Sequence, residues 1–220
     1  MALIKCMECG KEVSDRAPVC PNCGCPINTN KASTNVDRSQ EVEKFLDLAL
    51  KGIQGQNSDQ VEKYCQAALE IEPENSRAWE LEARGLLFQS SLRSNKVIQA
   101  ISAAANAVNY KENEKEELAI SLYASIYSHI TGLLNNALSM PVMYAPGYVA
   151  QCMNYYGLLL SGIPNLPTEK IETELKAFAD LDEQSRKAIM PKKRMIFASH
   201  ATKPTWAEQY RTLLREKGIL

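Results

Sequence analysis

Ser58-Asp59-Gln60-Val61-Glu62-Lys63-Tyr64-Cys65-Gln66-Ala67-Ala68-Leu69-Glu70-Ile71-Glu72-Pro73 is the stretch whose reading decides the fold. Val61, Tyr64, Cys65, Ala68 and Leu69 recur at the spacing of one face of a 3.6-residue helix. Ser58 reads as the N-cap, and Pro73 stops the helix because its ring disfavours helical backbone before it. Upstream, Phe45, Leu48, Ala49 and Gly52 repeat the same spacing. Downstream, Asn75-Ser76 can cap a third helix through Trp79, Ala83, Leu86 and Leu87.

The helices carry a longer period. Phe45 and Trp79 stand 34 residues apart, the length of a tetratricopeptide repeat. Phe45, Leu48 and Ala49, then Val61, Cys65, Ala68 and Pro73, fall at offsets that resemble that family's two-helix pattern. Large residues lie at helix ends and small ones where helices cross. A second unit has Trp79, Ala83 and Leu86, then Val97, Ile101 and Ala104 two residues late, with Asn109 in place of the closing proline. Ile120, Tyr123, Ala124 and Tyr127 begin a third, more divergent unit. Gly52 replaces the usual aromatic, and Glu82 falls where an aliphatic is expected. The resemblance implies stacked helical hairpins whose groove binds a peptide or partner protein. An irregular α bundle would show the same amphipathicity and stands as the alternative fold.

The first 25 residues are of another kind. Five of the seven cysteines lie there: Cys6, Cys9, Cys20, Cys23 and Cys25. Met1 to Lys5 is too short for the apolar region of a secretory signal, so the expected setting is a reducing cytoplasm, where disulfides are rare. Cys6-Met7-Glu8-Cys9-Gly10 and Cys20-Pro21-Asn22-Cys23-Gly24 supply four thiolates, which suits tetrahedral Zn²⁺ with no position left for water. The Gly after each pair provides a residue at ease with positive φ, and its amide is expected to point at a ligating sulfur. This segment resembles the zinc ribbons at the N-termini of many bacterial proteins, in which two such knuckles on short hairpins grip one zinc. Proline often follows the first cysteine of the second knuckle there, as Pro21 does here. The resemblance implies a fold and a structural zinc held by Cys6, Cys9, Cys20 and Cys23, not an activity. Cys25 is the departure; it could compete with Cys23, yet only Cys23 mirrors the Cys9-Gly10 arrangement, and Cys25 reads as a spare thiol.

Charge is distributed as unevenly as cysteine. The totals, 25 Lys+Arg against 26 Asp+Glu, give a net charge of -1, which excludes nucleic-acid binding by bulk positive charge. Within the ribbon Lys5, Lys11 and Arg16 balance Glu8, Glu12 and Asp15. Residues 118–168 contain no Asp, Glu, Lys or Arg, and residues 191–220 carry seven basic side chains against two acidic ones. The uncharged stretch reads as helices over about 114–139 and 147–161. Its many Ser, Thr and Asn argue against a membrane span. It is either a buried core or a ligand-facing surface. The loop Met140–Tyr148, rich in Met and Tyr, suits recognition if exposed, although pinning by its own aromatics is the simpler expectation. A charged helix over 168–189 follows, then the basic run Lys192-Lys193-Arg194, then a helix from about Thr205 to Lys217.

No Gly-rich phosphate loop, His-Glu-x-x-His or Gly-x-Ser-x-Gly elbow occurs. His129 reads as a hydrogen-bonded packing residue and His200 as exposed, while Cys65 and Cys152 read as core thiols. The expected fold is mostly α, a tetratricopeptide-like hairpin array or irregular bundle preceded by a small β zinc ribbon. The expected order is a ribbon (1–28), a flexible linker (29–40), helical hairpins (41–110) and a C-terminal helical region with a basic tail (111–220). The expected function is non-enzymatic binding of a protein or peptide partner. The alternative is a nucleic-acid-associated regulator touching phosphates through the ribbon and the basic tail.

Overall fold

The computed structural model of the protein describes residues 3–6, 8–14, 17, 20–25, 33–94, 96–141, 143–189 and 205–220. Among these, two strands, β1 (Leu3–Lys5) and β2 (Glu12–Ser14), precede eight helices. The helices are α1 (Ser33–Gln54), α2 (Ser58–Ile71), α3 (Ser76–Gln89), α4 (Lys96–Tyr110), α5 (Lys115–Ser139), α6 (Ala145–Gly162), α7 (Thr168–Ile189) and α8 (Trp206–Glu216). The chain is thus mostly α with one small antiparallel sheet. It divides into two compact units, Met1–Glu43 and Lys44–Leu220.

In the first unit β1 and β2 form a hairpin with Ile4 opposite Val13 and Lys5 opposite Glu12. An isolated two-stranded hairpin is marginal in water. Among the described residues, the apolar cluster beneath it is Cys6, Val13 and Cys20, with Cys25 packed against them. α1 begins at Ser33, so residues 33–40, expected as linker, are helical. Polar composition does not break a helix. No Gly or Pro interrupts residues 33–51, and the good helix formers that begin at Arg38 carry the helix back over the weaker formers before them. The remainder of that expected linker, residues 29–32, lies outside the described residues.

In the second unit α2 is capped by Asn57 rather than Ser58. The Asn57 side chain accepts the Gln60 amide at 3.1 Å, and Ser58 becomes the first helical residue. Asn75 caps α3 as expected, accepting the Ala78 amide at 3.0 Å. Each cap satisfies one of the amides a helix start leaves unpaired. Val61, fully buried, sits between two glycines on the flanking helices. A Cβ on Gly52 of α1 would lie 2.9 Å from its Cγ2, and one on Gly85 of α3 would lie 2.5 Å from its Cγ1. Gly52, which looked like a missing aromatic, is the space that Val61 fills.

A continuous core runs from Ala83 to Leu214, so the helices before and after residue 110 share one interior. From α3 onward each helix packs on its sequence neighbour and on the next but one: α3 with α5, α4 with α6, α5 with α7, α6 with α8. This order settles the uncharged stretch. α6 touches four helices and buries Val149, Cys152, Met153, Tyr155, Tyr156, Leu159 and Leu160. α5 buries Leu122, Ile126, Ile130 and Leu134 and exposes Ser121, Ser128, Asn135 and Asn136. Charges are missing from α6 because few of its side chains reach water. Among the described residues, no helix is long and apolar enough to cross a membrane. Tyr123, Tyr127, Tyr156, Phe178 and Tyr210 form a row with successive centroids 5.9, 5.1, 5.7 and 6.0 Å apart. It threads α5, α6, α7 and α8, and such pairs are worth roughly 0.5–1.5 kcal/mol each beyond area burial.

α8 is fixed by specific contacts. Thr205 and Glu208 form a capping box, and Gly218 follows the helix at φ 67°. The Asp182 carboxylate of α7, 3% exposed, receives the Arg186 Nε at 2.8 Å and the Ala207 amide at 3.3 Å. The Tyr210 ring lies directly on Gly157 of α6, where a Cβ would come within 1.9 Å of its Cζ, and its hydroxyl donates to Asn154 Oδ1 at 2.7 Å. In the α5–α6 connection Met143 and Tyr144 are 81% and 59% exposed, whereas Tyr148 packs on the core. The loop is therefore not wholly pinned by its aromatics.

Candidate metal centre

The two cysteine pairs are built alike. In the first, the Gly10 amide donates to Cys6 O at 2.9 Å and the Cys6 amide to Lys11 O at 2.9 Å. In the second, the Gly24 amide donates to Cys20 O at 2.8 Å and the Cys20 amide to Cys25 O at 2.7 Å. Gly10 and Gly24 take φ of 69° and 73°, the left-handed region that closing such a turn requires and that glycine enters without steric cost. Cys25 is thereby placed. It stands in the second knuckle where Lys11 stands in the first, and its carbonyl completes the turn.

The turns bring four sulfurs together. Cys6 Sγ lies 3.6 Å from Cys23 Sγ, and Cys9 Sγ lies 3.7 Å from Cys20 Sγ. All four ligand atoms fall within 4.8 Å of one another. With metal–sulfur bonds of about 2.3 Å, a tetrahedron of thiolates has edges of about 3.8 Å. The spacing fits one ion bound by Cys6, Cys9, Cys20 and Cys23, and no disulfide joins these cysteines. Cys25 lies outside that ligand set.

The amides reaching the sulfurs differ from those expected. Gly10 and Gly24 spend their N–H groups on carbonyls, and the amides of Cys9 and Glu8 donate to the Cys6 sulfur, holding its pKa below the usual thiol range. At Cys20, burial pushes the thiol up, but the amides of Asn22 and Cys23 outweigh it and bring it down to about 6. Cys23 receives the Cys25 amide, yet burial and its three cysteine neighbours raise it to about 12. A first thiolate forms readily and the last does not. A divalent cation supplies the charge that lets four thiolates coexist, which is the chemistry this donor set fits. Across the outside, Lys11 Nζ donates to Asn22 Oδ1 at 3.5 Å.

The remaining sequence-selected residues are not gathered at this centre. Cys65 and Cys152 are fully buried in the body, and burial pushes both thiols up to about 12; they are core residues, as expected. His129 corrects its expectation. Its Nε2 is buried without a hydrogen-bond partner, and burial lowers its pKa. Lys192-Lys193-Arg194, His200, Asp15 and Arg16 lie outside the described residues.

Sequence reasoning missed two features. Arg84 joins α3 to α5, pairing with Glu80 at 3.0 Å and reaching the Ser121 and Ser125 hydroxyls at 3.4 and 3.5 Å. A hollow of about 1060 Å³ lies at the turns between α2 and α3 and between α4 and α5. It is lined by Glu72, Glu74, Glu80, Glu112 and Glu114 against Arg77 and Lys111. The five acids were visible in sequence, but two turns 35 residues apart had no sign that they meet. Comparison with protein-family models, with curated proteins and with solved structures finds no match for this chain.

Proposed function

We propose that this chain is a non-enzymatic, zinc-binding interaction module of the cytoplasm. Its ribbon is a structural or docking element around Zn²⁺ on Cys6, Cys9, Cys20 and Cys23, and its helical body is a tetratricopeptide-like array that binds a peptide or partner protein. The observation that carries the reading is the next-but-one packing of α3 through α8, the order by which helical hairpins stack into a surface for partners. Zinc is the ion that the resemblance of the two knuckles to zinc ribbons implies, and four thiolates at near-tetrahedral spacing accommodate it. A four-thiolate site offers no open position for substrate, which argues for architecture rather than chemistry. The acid-lined hollow speaks against phosphate-backbone binding by the body, since like charges repel there.

Affinity capture with mass spectrometry, comparing the full chain with one lacking residues 1–40, tests the reading. A protein retained by both chains supports recognition by the body. Salt-sensitive retention of nucleic acid alone would replace it with the phosphate-binding alternative. Elemental analysis should give one zinc per chain, lost on Cys6→Ser together with Cys9→Ser; another metal, or none in the parent chain, would refute the assignment.

A further inference from the structure

α8 sits on the rest of the body in the manner of a bound peptide. Its buried side chains are Ala207, Tyr210 and Leu214, and among the described residues it packs on α6 and α7 alone. It is the last helix of the packing order that begins at α3. Its contacts combine core packing, through Ala207, Tyr210 and Leu214, with specific pairing. Gly157 leaves a notch that receives the Tyr210 ring against bare helix backbone, with a virtual Cβ 1.9 Å from the ring. Asn154 reads the hydroxyl through its side-chain oxygen at 2.7 Å and its carbonyl at 3.3 Å. Buried Asp182, steadied by Arg186, receives an N-terminal amide of α8 at 3.3 Å. α8 also carries its own capping box, so its start is defined by its own sequence.

The fit is incomplete on both sides. Towards its N-terminal end a cavity of about 400 Å³ remains, lined by Ala179, Asp182, Arg186, Glu208 and Arg211 among others. Towards its C-terminal end another of about 320 Å³ remains, lined by Leu175, Lys176, Arg211, Arg215 and Leu220 with Glu172. Both are clefts open to solvent along the flanks of the helix. An 11-residue helix is also too short to persist by itself in water, so its release costs little beyond these contacts.

We propose that the groove between α6 and α7, centred on Gly157, Asn154 and Asp182, is the helix-recognition site of this body, and that α8 is an internal occupant which a partner's amphipathic helix displaces. The partner chemistry follows from the occupant: a capped helix with Ala, Tyr and Leu at the spacing of Ala207, Tyr210 and Leu214, long enough to extend into the flanking cavities. This inference rests on the body being a recognition module and names where that recognition occurs.

The probe is a fluorescent synthetic peptide of residues 204–220, titrated by anisotropy against the full chain and against full-length Tyr210→Ala/Leu214→Ala. The variant should bind the probe at least about tenfold more tightly than the parent, because an occupied site shows only its open fraction to a second ligand. Adding Gly157→Ala to that variant should abolish binding. Equal binding by parent and variant, or none by a variant with a cooperative melt, overturns the proposal. Should the variant fail to fold, amide exchange of the unmodified chain decides: α8 amides should exchange at least about 100-fold faster than those of α6. Equal protection marks α8 as a permanent part of the fold and overturns the idea. A captured partner whose affinity is unmoved by Tyr210→Ala would leave the proposed function standing and refute this site. Probe binding without any captured partner would support the site and refute the broader reading.

Discussion

Replacing Gly85 by alanine gives the sharpest test of how α1, α2 and α3 are held together. At an ordinary position inside a helix this change stabilises, since alanine exceeds glycine in helix propensity by about 1 kcal/mol. Here the new methyl would lie 2.5 Å from Val61 Cγ1 and 3.0 Å from Val61 Cβ, where apolar carbons prefer about 3.5–4.0 Å. Val61 has little room to retreat, because its other methyl already fills the space that Gly52 leaves on the α1 side. Overpacking of this kind costs typically about 1–3 kcal/mol. Set against the propensity gain, the expected net effect is a loss of up to about 2 kcal/mol. For a body of this size that lowers Tm by about 2–4 °C per kcal/mol. Urea unfolding followed by far-UV circular dichroism, with an unchanged m value, measures it. Val61→Ala in the same chain should relieve the clash, so the double-mutant cycle should show a favourable coupling of about 1 kcal/mol or more. A Gly85→Ala chain more stable than the parent would refute the wedge.

Three further outcomes follow from the geometry. Cys25→Ser should keep one metal per chain while Cys9→Ser should lose it, since Cys25 completes its turn through a carbonyl that serine also carries; elemental analysis of both proteins checks this. His129 has a lowered pKa in the folded protein, so its neutral form is favoured there. Its contribution to stability is full above the ordinary histidine value near 6.5 and is lost as pH falls from there through the depressed folded value. Urea midpoints at pH 7.5 and 5.5 should therefore differ less in His129→Asn than in the parent chain. Asp182→Ala should destabilise by roughly 1–3 kcal/mol, leaving the Ala207 amide without its acceptor. Its signature is faster amide exchange in α8 with little change in α3 and α4.

Much of this molecule could be read before any coordinates, and the failures have physical causes. Helix order from α2 to α8 followed from apolar period, proline stops and caps, and the ends of α5, α7 and α8 fell within a residue or two. The four sulfurs of the metal centre were legible because ligand spacing in a Cys-x-x-Cys turn is a local property. The uncharged stretch stayed ambiguous because composition cannot distinguish a side chain facing a neighbouring helix from one facing a ligand. Gly52, Gly85 and Gly157 were opaque for a related reason. A glycine inside a helix announces a close approach only when its partner is known, and Val61 and Tyr210 arrive from other helices. The Ser58 cap failed because Asn57 beside it is an equally good capping residue. Residues 33–40 read as linker because most of them are weak helix formers, and the helix of the residues that follow extends back over them.

The two knuckles also have a polymer-physics consequence. Sulfurs 3.6 Å apart on Cys6 and Cys23 mean that an ion shared by both ties the chain into a loop of seventeen residues. Chain-entropy models assign a cross-link closing a loop of about fifteen residues roughly 3 kcal/mol through restriction of the unfolded chain. An ion bound there would add that amount to what the three-pair sheet and its apolar cluster supply. A disulfide would impose the same topology permanently. Coordination leaves it removable by any competitor with greater affinity for the ion, which makes the fold of this terminus a function of the free-metal level around it.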